Sequence, residues 1–427
     1  MGMGTQRWSR IAAYTLLGLI TAFFLARTVI PTSGKLTAGF MAYFVAGQTV
    51  RDREPATRLY DDAWFAAQVS KDTRGTVTDI YLANPPALAV AWAPLAYLSV
   101  ATARRVWIAV SFLCLALSLW WIARELGWSR QPWALVAMSG LVLLAAPTRE
   151  QFGYGQMYVF LLFIHVLGWR AYVKRRDARA GIALGVAMVL KVSGWPIGVL
   201  MLAQRRWSAV TWVIATAAAI ALFSLPWVGL ESWWLFLTDA IPRTLQRGAA
   251  ALTAYQDTTS FWQHLFRYVP TSNPAPVLDA PRLATVLTLG TTLGALAALL
   301  VPRRTASVSF AAAVALSELL SPVAEQYHYV VLVLPLAVLW HQACMTRDRL
   351  MGVCACLATL LIAMPVNYKA PHPVWSLLFN YPRLIGGWIA FAGLAFTQAS
   401  TNAVTSGGAV PASAARSGWN RVATKNG

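Results

Sequence analysis

Charge is scarce in this chain, and acids are scarcer still. Only 12% of the 427 residues are charged, with 16 Asp and Glu against 35 Lys and Arg, and histidine occurs five times. No separate soluble basic domain is present, so the formal charge of +19 does not indicate a nucleic-acid partner. The surplus is better explained by an excess of Lys and Arg on one side of a membrane and by contact with anionic lipid. Cysteine is rare as well. Cys114, Cys344, Cys354 and Cys356 all fall in apolar segments, which excludes a disulfide framework. Cys354 and Cys356 lack a second pair of ligands, so they read as small buried hydrophobes and no metal site is expected. There is no internal repeat and no inverted pair of broken helices, the pattern that often marks a secondary transporter.

Apolar sequence is what the chain has in quantity. Hydrophobic residues make up 58% of it, in runs of roughly 15 to 22 residues that match the ~30 Å of bilayer hydrocarbon. The expected fold class is therefore all-α, a polytopic integral membrane protein with roughly ten to twelve apolar segments. They begin near Ile11, Pro85, Val106, Pro132, Gln156, Gly181, Trp207, Arg282, Ser307, Tyr329, Leu350 and Pro382. Arg7 and Arg10 precede the first run, and no small-x-small cleavage site follows it, so it reads as an uncleaved first helix.

Basic clusters set the sidedness. The connection Arg170 to Arg179, the pair Arg303-Arg304 and the turn Arg347-Asp348-Arg349 are expected on the cytoplasmic side, with both termini. The outer side then receives four polar segments: residues 31–83, 148–155, 229–281 and 321–329. A membrane domain is predicted over 1–397, followed by a disordered cytoplasmic tail, 398–427, rich in Ser, Gly, Ala, Thr and Asn. Gly181 to Ala203 has basic residues at both ends, which does not suit a single crossing. Within it, Lys191-Val192-Ser193-Gly194-Trp195-Pro196 breaks the helix, and a hairpin of two short helices would keep both ends inside with Lys191 at the tip. In the same way, Pro86 to Leu98 and Val106 to Ile122 together read as one net crossing.

The outer segments hold the candidate chemistry. In the first loop, Leu59-Tyr60-Asp61-Asp62-Ala63-Trp64-Phe65 sets aromatics among acids. Either this is an amphipathic helix lying in the interface, or one carboxylate faces a cavity and takes a proton from an incoming hydroxyl. Asp61 is the more plausible base, because Tyr60 and Trp64 would partly shield it while Asp52 and Glu54 sit between arginines; Asp79 lies just before Asn84-Pro85-Pro86, where the loop re-enters the membrane. Capping or plain solvation is the simpler reading of Asp79. Gln156, after Gly153 and Gly155, can hydrogen-bond a sugar hydroxyl, with Tyr43 and Tyr60 as further sugar or acceptor contacts, although a tight turn alone would also explain the glycines. His328, between Tyr327 and Tyr329, is either a polar anchor or a group that binds phosphate oxygen or passes a proton. Lys191, inside an apolar segment, is costly without a partner. A lipid phosphate would be one partner and a carboxylate another, and Arg149 is a further cation on the same side.

Taken in order, these segments resemble the glycosyltransferase 87 family of the GT-C class, polyprenyl-phosphate-sugar-dependent mannosyl- and arabinofuranosyltransferases. The likeness runs to about residue 395. It rests on Phe40 and Tyr43 before Leu59-Tyr60-Asp61, on Asn84-Pro85-Pro86 before Ala93-Pro94-Leu95, on Gly155-Gln156, on Lys191 before a proline break, and on Ser321-Pro322 with His328-Tyr329. The resemblance implies a GT-C-like fold with an extracytoplasmic active site and an isoprenoid-linked sugar donor. It also implies inverting transfer of a hexose or pentose to an envelope glycolipid or polysaccharide, with no cofactor and no metal. Lys191, His328 and Arg149 would then meet the departing lipid phosphate. The family usually carries its base directly before the Phe of a Phe-x-x-Tyr segment, and Gly39 stands at that place here. Either Asp61, Asp79 or Glu325 has taken over the role, or the chain binds without transferring. The rival readings are a flippase for lipid-linked precursors and a non-catalytic membrane partner.

Overall fold

A computed structural model describes residues 3–249, 251–301, 304–365 and 380–396. The predicted tail, 398–427, and Arg303 lie outside the described residues. Among those described there is no strand, only one isolated bridge between Val269 and Asn273. Five helical segments are long and apolar enough to cross a membrane: Gln6–Ser33, Val100–Glu125, Trp207–Gly248, Pro281–Leu299 and Gln326–Thr346. A sixth forms if Pro132–Leu144 and Ala146–Tyr154, bent by 52°, make one span, and Tyr158–Val173, Ala306–Leu319 and Arg349–Ala363 are shorter apolar helices. The chain is an all-α polytopic integral membrane protein. Fewer helices reach full span length than the sequence has apolar segments, because several segments are broken. The run from Pro85 yields only Pro86–Trp92, and the run from Gly181 divides into Asp177–Lys191 and Trp195–Ala203.

Proline sets many of the boundaries. Pro86, Pro132, Pro147, Pro196, Pro281 and Pro382 each sit in the first turn of a helix, where the missing N–H would have no intrahelical partner in any case. The long helix from Trp207 instead carries Pro226 inside it and bends at Gly229 (φ 70°, ψ 163°), then runs on through Ile241–Gly248.

The Lys191 break has the hairpin form expected from its charges. Arg206, just after the second short helix, is buried and pairs with Asp177 at the start of the first, Nε to Oδ1 at 2.9 Å. Both basic ends therefore lie together, with Lys191 at the opposite end. Nearby, Arg170 and Lys174 share the Glu125 carboxylate at 2.8 and 2.6 Å.

Two large apolar cores form among the described residues, beside a small cluster around Tyr329. One lies among the long helices, and the other is built by the first loop against the bundle, from Phe40, Tyr43, Phe44, Tyr60, Phe65 and Tyr81 to Trp92, Trp107 and Phe236. In the Leu59–Phe65 stretch, Leu59, Tyr60 and Phe65 are buried in this second core while Asp61 is exposed, and the helix Asp62–Thr73 buries only Phe65, Val69 and Thr73. Phe40–Arg51, by contrast, is buried on nearly all sides. The cysteines differ from expectation. Only Cys114 is buried, whereas Cys356 is exposed on a helix whose outward positions Leu350, Val353, Leu357 and Leu360 are apolar, as a lipid-facing side would be.

Candidate functional site

The two cores meet at a cavity of about 420 Å³. Its floor begins at Gly39, which precedes the helix Phe40–Arg51 with φ +85°, a conformation glycine adopts far more readily than other residues. There is also no room for a side chain. A Cβ at this point would overlap the Gln156 amide and approach the Tyr154 carbonyl oxygen at 3.1 Å. The Gly39 N–H donates to Oδ2 of Asp79, and the Ile80 N–H donates to Oδ1 at 2.9 Å. Burial pushes the Asp79 carboxyl above its ordinary range. The main-chain donors Gly39, Ile80 and Ala42 and the charge of Lys191 pull it part of the way back.

Lys191 enters from the hairpin tip. Its Nζ donates to Asn84 Oδ1 at 2.6 Å and to the Tyr43 hydroxyl at 3.2 Å, and it lies 5.3 and 5.5 Å from the ring centres of Tyr43 and Tyr158. The next residue, Val192, has φ 51°, an unusual value for a β-branched side chain, so the tip stores backbone strain beside the lysine. Asn84 is itself fixed by its own turn, its N–H and its side-chain amide both donating to the Tyr81 carbonyl.

Gln156 joins the two sides. Its Oε1 accepts from the Tyr43 hydroxyl, and its Nε2 donates to the Tyr327 hydroxyl at 3.2 Å. His328 stacks on Tyr158 with ring centres 3.7 Å apart, and its Nδ1 is 3.8 Å from Glu318 Oε2. Glu325 also lines the cavity. Burial raises its carboxyl, opposed by a hydrogen bond from Tyr327 and by Lys191.

The structure thus gathers Asp79, Glu325, Lys191, His328, Gln156 and Tyr43 around one space. Three other candidates lie elsewhere. Asp61 is exposed and caps the helix Asp62–Thr73, accepting from the Trp64 N–H at 3.1 Å, so its carboxylate is used for capping. Arg149 is exposed on Ala146–Tyr154 and does not line the cavity. Tyr60 is buried one layer behind, its hydroxyl donating to the Asn84 carbonyl at 2.9 Å, so it braces the residue that holds Lys191.

Several site residues escaped sequence reasoning. Glu318 is buried in a helix otherwise made of Ala, Val, Leu, Ser and Phe, and an acid in such a run was itself a signal. Arg247 and Tyr255 reach the cavity from the long outer segment. Arg104 is fully buried and donates to the carbonyls of Thr32, Phe152 and Gly153, tying together the chain ends that lead into Gly39 and Gln156.

An all-helical membrane protein with a polar cavity of acids and cations between an apolar bundle and a folded loop is the class that this geometry defines. The pattern described as glycosyltransferase family 87 matches residues 81–324, more than half of the chain, and the chain belongs to that family. It is similar to a polyprenol-phosphate-mannose-dependent alpha-(1-2)-phosphatidylinositol mannoside mannosyltransferase of Mycolicibacterium smegmatis, with 27% identity over 194 residues. That match covers 42% of this chain and 43% of the relative, so it spans less than half of the relative's length. No solved structure matches the chain.

Proposed function

We propose that this protein is a membrane glycosyltransferase that moves a sugar, a mannose-like hexose or a pentose, from a polyprenyl-phosphate donor to a lipid-anchored or polysaccharide acceptor on the extracytoplasmic face. The observation that carries this reading is the position of Asp79. Its carboxylate is held at Gly39, the place where the resemblance calls for an acid, in a cavity shared with Lys191 and His328.

Asp79 accepts the proton of the acceptor hydroxyl as that oxygen attacks the anomeric carbon of the sugar. The bond from that carbon to the phosphate oxygen breaks, and its electron pair leaves with the polyprenyl phosphate. Lys191 is placed to stabilise the growing negative charge, and His328 can hydrogen-bond a phosphate oxygen beside it. Attack from the side opposite the leaving group inverts the anomeric centre. Gln156 and Tyr43, which are hydrogen-bonded to each other and of which Tyr43 also accepts from Lys191, orient the sugar hydroxyls.

The test uses the full chain in proteoliposomes with radiolabelled polyprenyl-phosphate mannose or arabinofuranose and a membrane glycolipid extract as acceptor. Labelled product from the wild type, and a loss on the order of 10²- to 10⁴-fold in Asp79→Asn, is expected. Equal product from both proteins removes Asp79 from the reaction, and absence of product with either donor overturns the activity.

A further inference from the structure

We propose that Arg247 binds the phosphodiester of an anionic phospholipid-anchored acceptor at a sideways opening of the cavity, a reading that rests on the cavity being the transfer site. Beyond its kink, the helix ending at Gly248 turns Leu230, Trp234, Leu237 and Leu245 outward, 75, 65, 55 and 53% exposed. Their spacing puts them on one face, which in a membrane meets lipid. Leu245 also lines the cavity. The wall of the site and the lipid-facing surface therefore coincide there, and a lipid can enter without leaving the bilayer.

Arg247 lines the same edge, with its side chain 47% exposed. Its nearest acid, Asp62 Oδ2, is 3.9 Å away and is already held by Arg243 at 3.0 Å, while Arg243 also takes Asp239 at 2.7 Å. Arg243 thus occupies both local acids, and Arg247 keeps only the outermost of the ion-pair distances, well beyond that of a charge-assisted hydrogen bond. A guanidinium at the end of an apolar helix favours a phosphate at headgroup depth, which it can grip with two parallel N–H donors. The donor phosphate has its own cation. Lys191 is bound deep in the cavity to Asn84 and Tyr43, beside the acid, so the rim cation is left for a second phosphate, that of the acceptor.

Native mass spectrometry of the detergent-solubilised full chain tests this with two probes, phosphatidylinositol and decaprenyl phosphate. Arg247→Gln is expected to lower retention of phosphatidylinositol about tenfold, as loss of one charge-assisted pair would, with decaprenyl phosphate held as in the wild type. Arg247→Lys should restore part of the loss, and Arg149→Gln, outside the cavity, should change neither. Loss of decaprenyl phosphate alone, unchanged retention of both probes, or no phosphatidylinositol on the wild type would each overturn the proposal. The assay needs no turnover, so its result stands apart from the test of Asp79.

Discussion

The main-chain N–H of Gly39 donates to the carboxylate of Asp79, forty residues further along the chain. A position that lacks a side chain of its own is thereby supplied with an acid from another segment, at a glycine whose φ of +85° and close neighbour Gln156 leave no room for a Cβ. Replacing Asp79 by Asn keeps the shape and part of the hydrogen bonding but removes the proposed base. Transfer is expected to fall on the order of 10²- to 10⁴-fold, with little change in melting temperature. Asp61→Ala should do the reverse, costing about 1 kcal/mol through the lost cap while leaving transfer intact. A rate loss in Asp61→Ala with none in Asp79→Asn, measured in the same proteoliposomes, would exchange the two assignments.

With Asp79 as the base proposed above, transfer is expected to show an acid limb. The carboxyl must be ionised to accept a proton, and burial raises it above the ordinary range, so activity should fall as pH falls through that raised value. Lys191 opposes the rise. Lys191→Met removes a neighbouring positive charge, Asp79 then holds its proton to still higher pH, and the acid limb of the residual activity should move upward. A limb that stays in place or moves down in this variant would mean that another group sets it.

Gln156 offers a test of orientation apart from chemistry. Its two amide atoms bridge Tyr43 and Tyr327, so Gln156→Leu removes both links while keeping much of the volume. A KM for the donor raised roughly tenfold, equivalent to about 1.4 kcal/mol, with kcat changed less, is the expected result. A fall in kcat alone would place Gln156 in the chemical step. Gly39→Ala should weaken the same bridge from the other side, since its Cβ would press on the Gln156 amide.

The residues that stood out in the sequence did so because a local rule was broken. Lys191 interrupts an apolar run ahead of a Gly and a Pro, and the lysine and the break survive together in the structure as a hairpin tip. The all-α membrane architecture was legible for a related reason, since apolar length is a local property. The choice among Asp61, Asp79 and Glu325 was not local. It depends on the first loop closing into a core of its own and returning the segment before Asn84 to Gly39, a contact between distant positions that no periodicity encodes. Arg104 and Arg247 were hidden by their neighbours. Each belongs to a basic cluster or an arginine-bearing segment that reads as membrane flank, and only packing separates the buried or rim-facing member from the rest.

Arg104 is the residue whose removal should affect the whole site at once. It has no carboxylate partner within ion-pair distance among the described residues. Its guanidinium instead gathers the carbonyl of Thr32 at 3.2 Å and those of Phe152 and Gly153 at 3.0 and 2.8 Å, and lies 5.1 Å from the Phe40 ring. These carbonyls belong to two helix ends, where partial negative charge favours a cation. Arg104→Met would take this donor from the Phe152 carbonyl and leave those of Thr32 and Gly153 only the Lys35 N–H and the Thr37 hydroxyl, for a loss of about 2 kcal/mol of stability. Arg104→Lys should recover only part, because a single ammonium group does not reproduce the planar fork. Gly155 provides an independent check, since a Cβ there would overlap the same guanidinium and Gly155→Ala should lower stability in the same direction. The measurement is the thermal midpoint in detergent together with the donor KM. A change in KM without any fall in the midpoint would show that Arg104 contacts the substrate, and the architectural role would be lost.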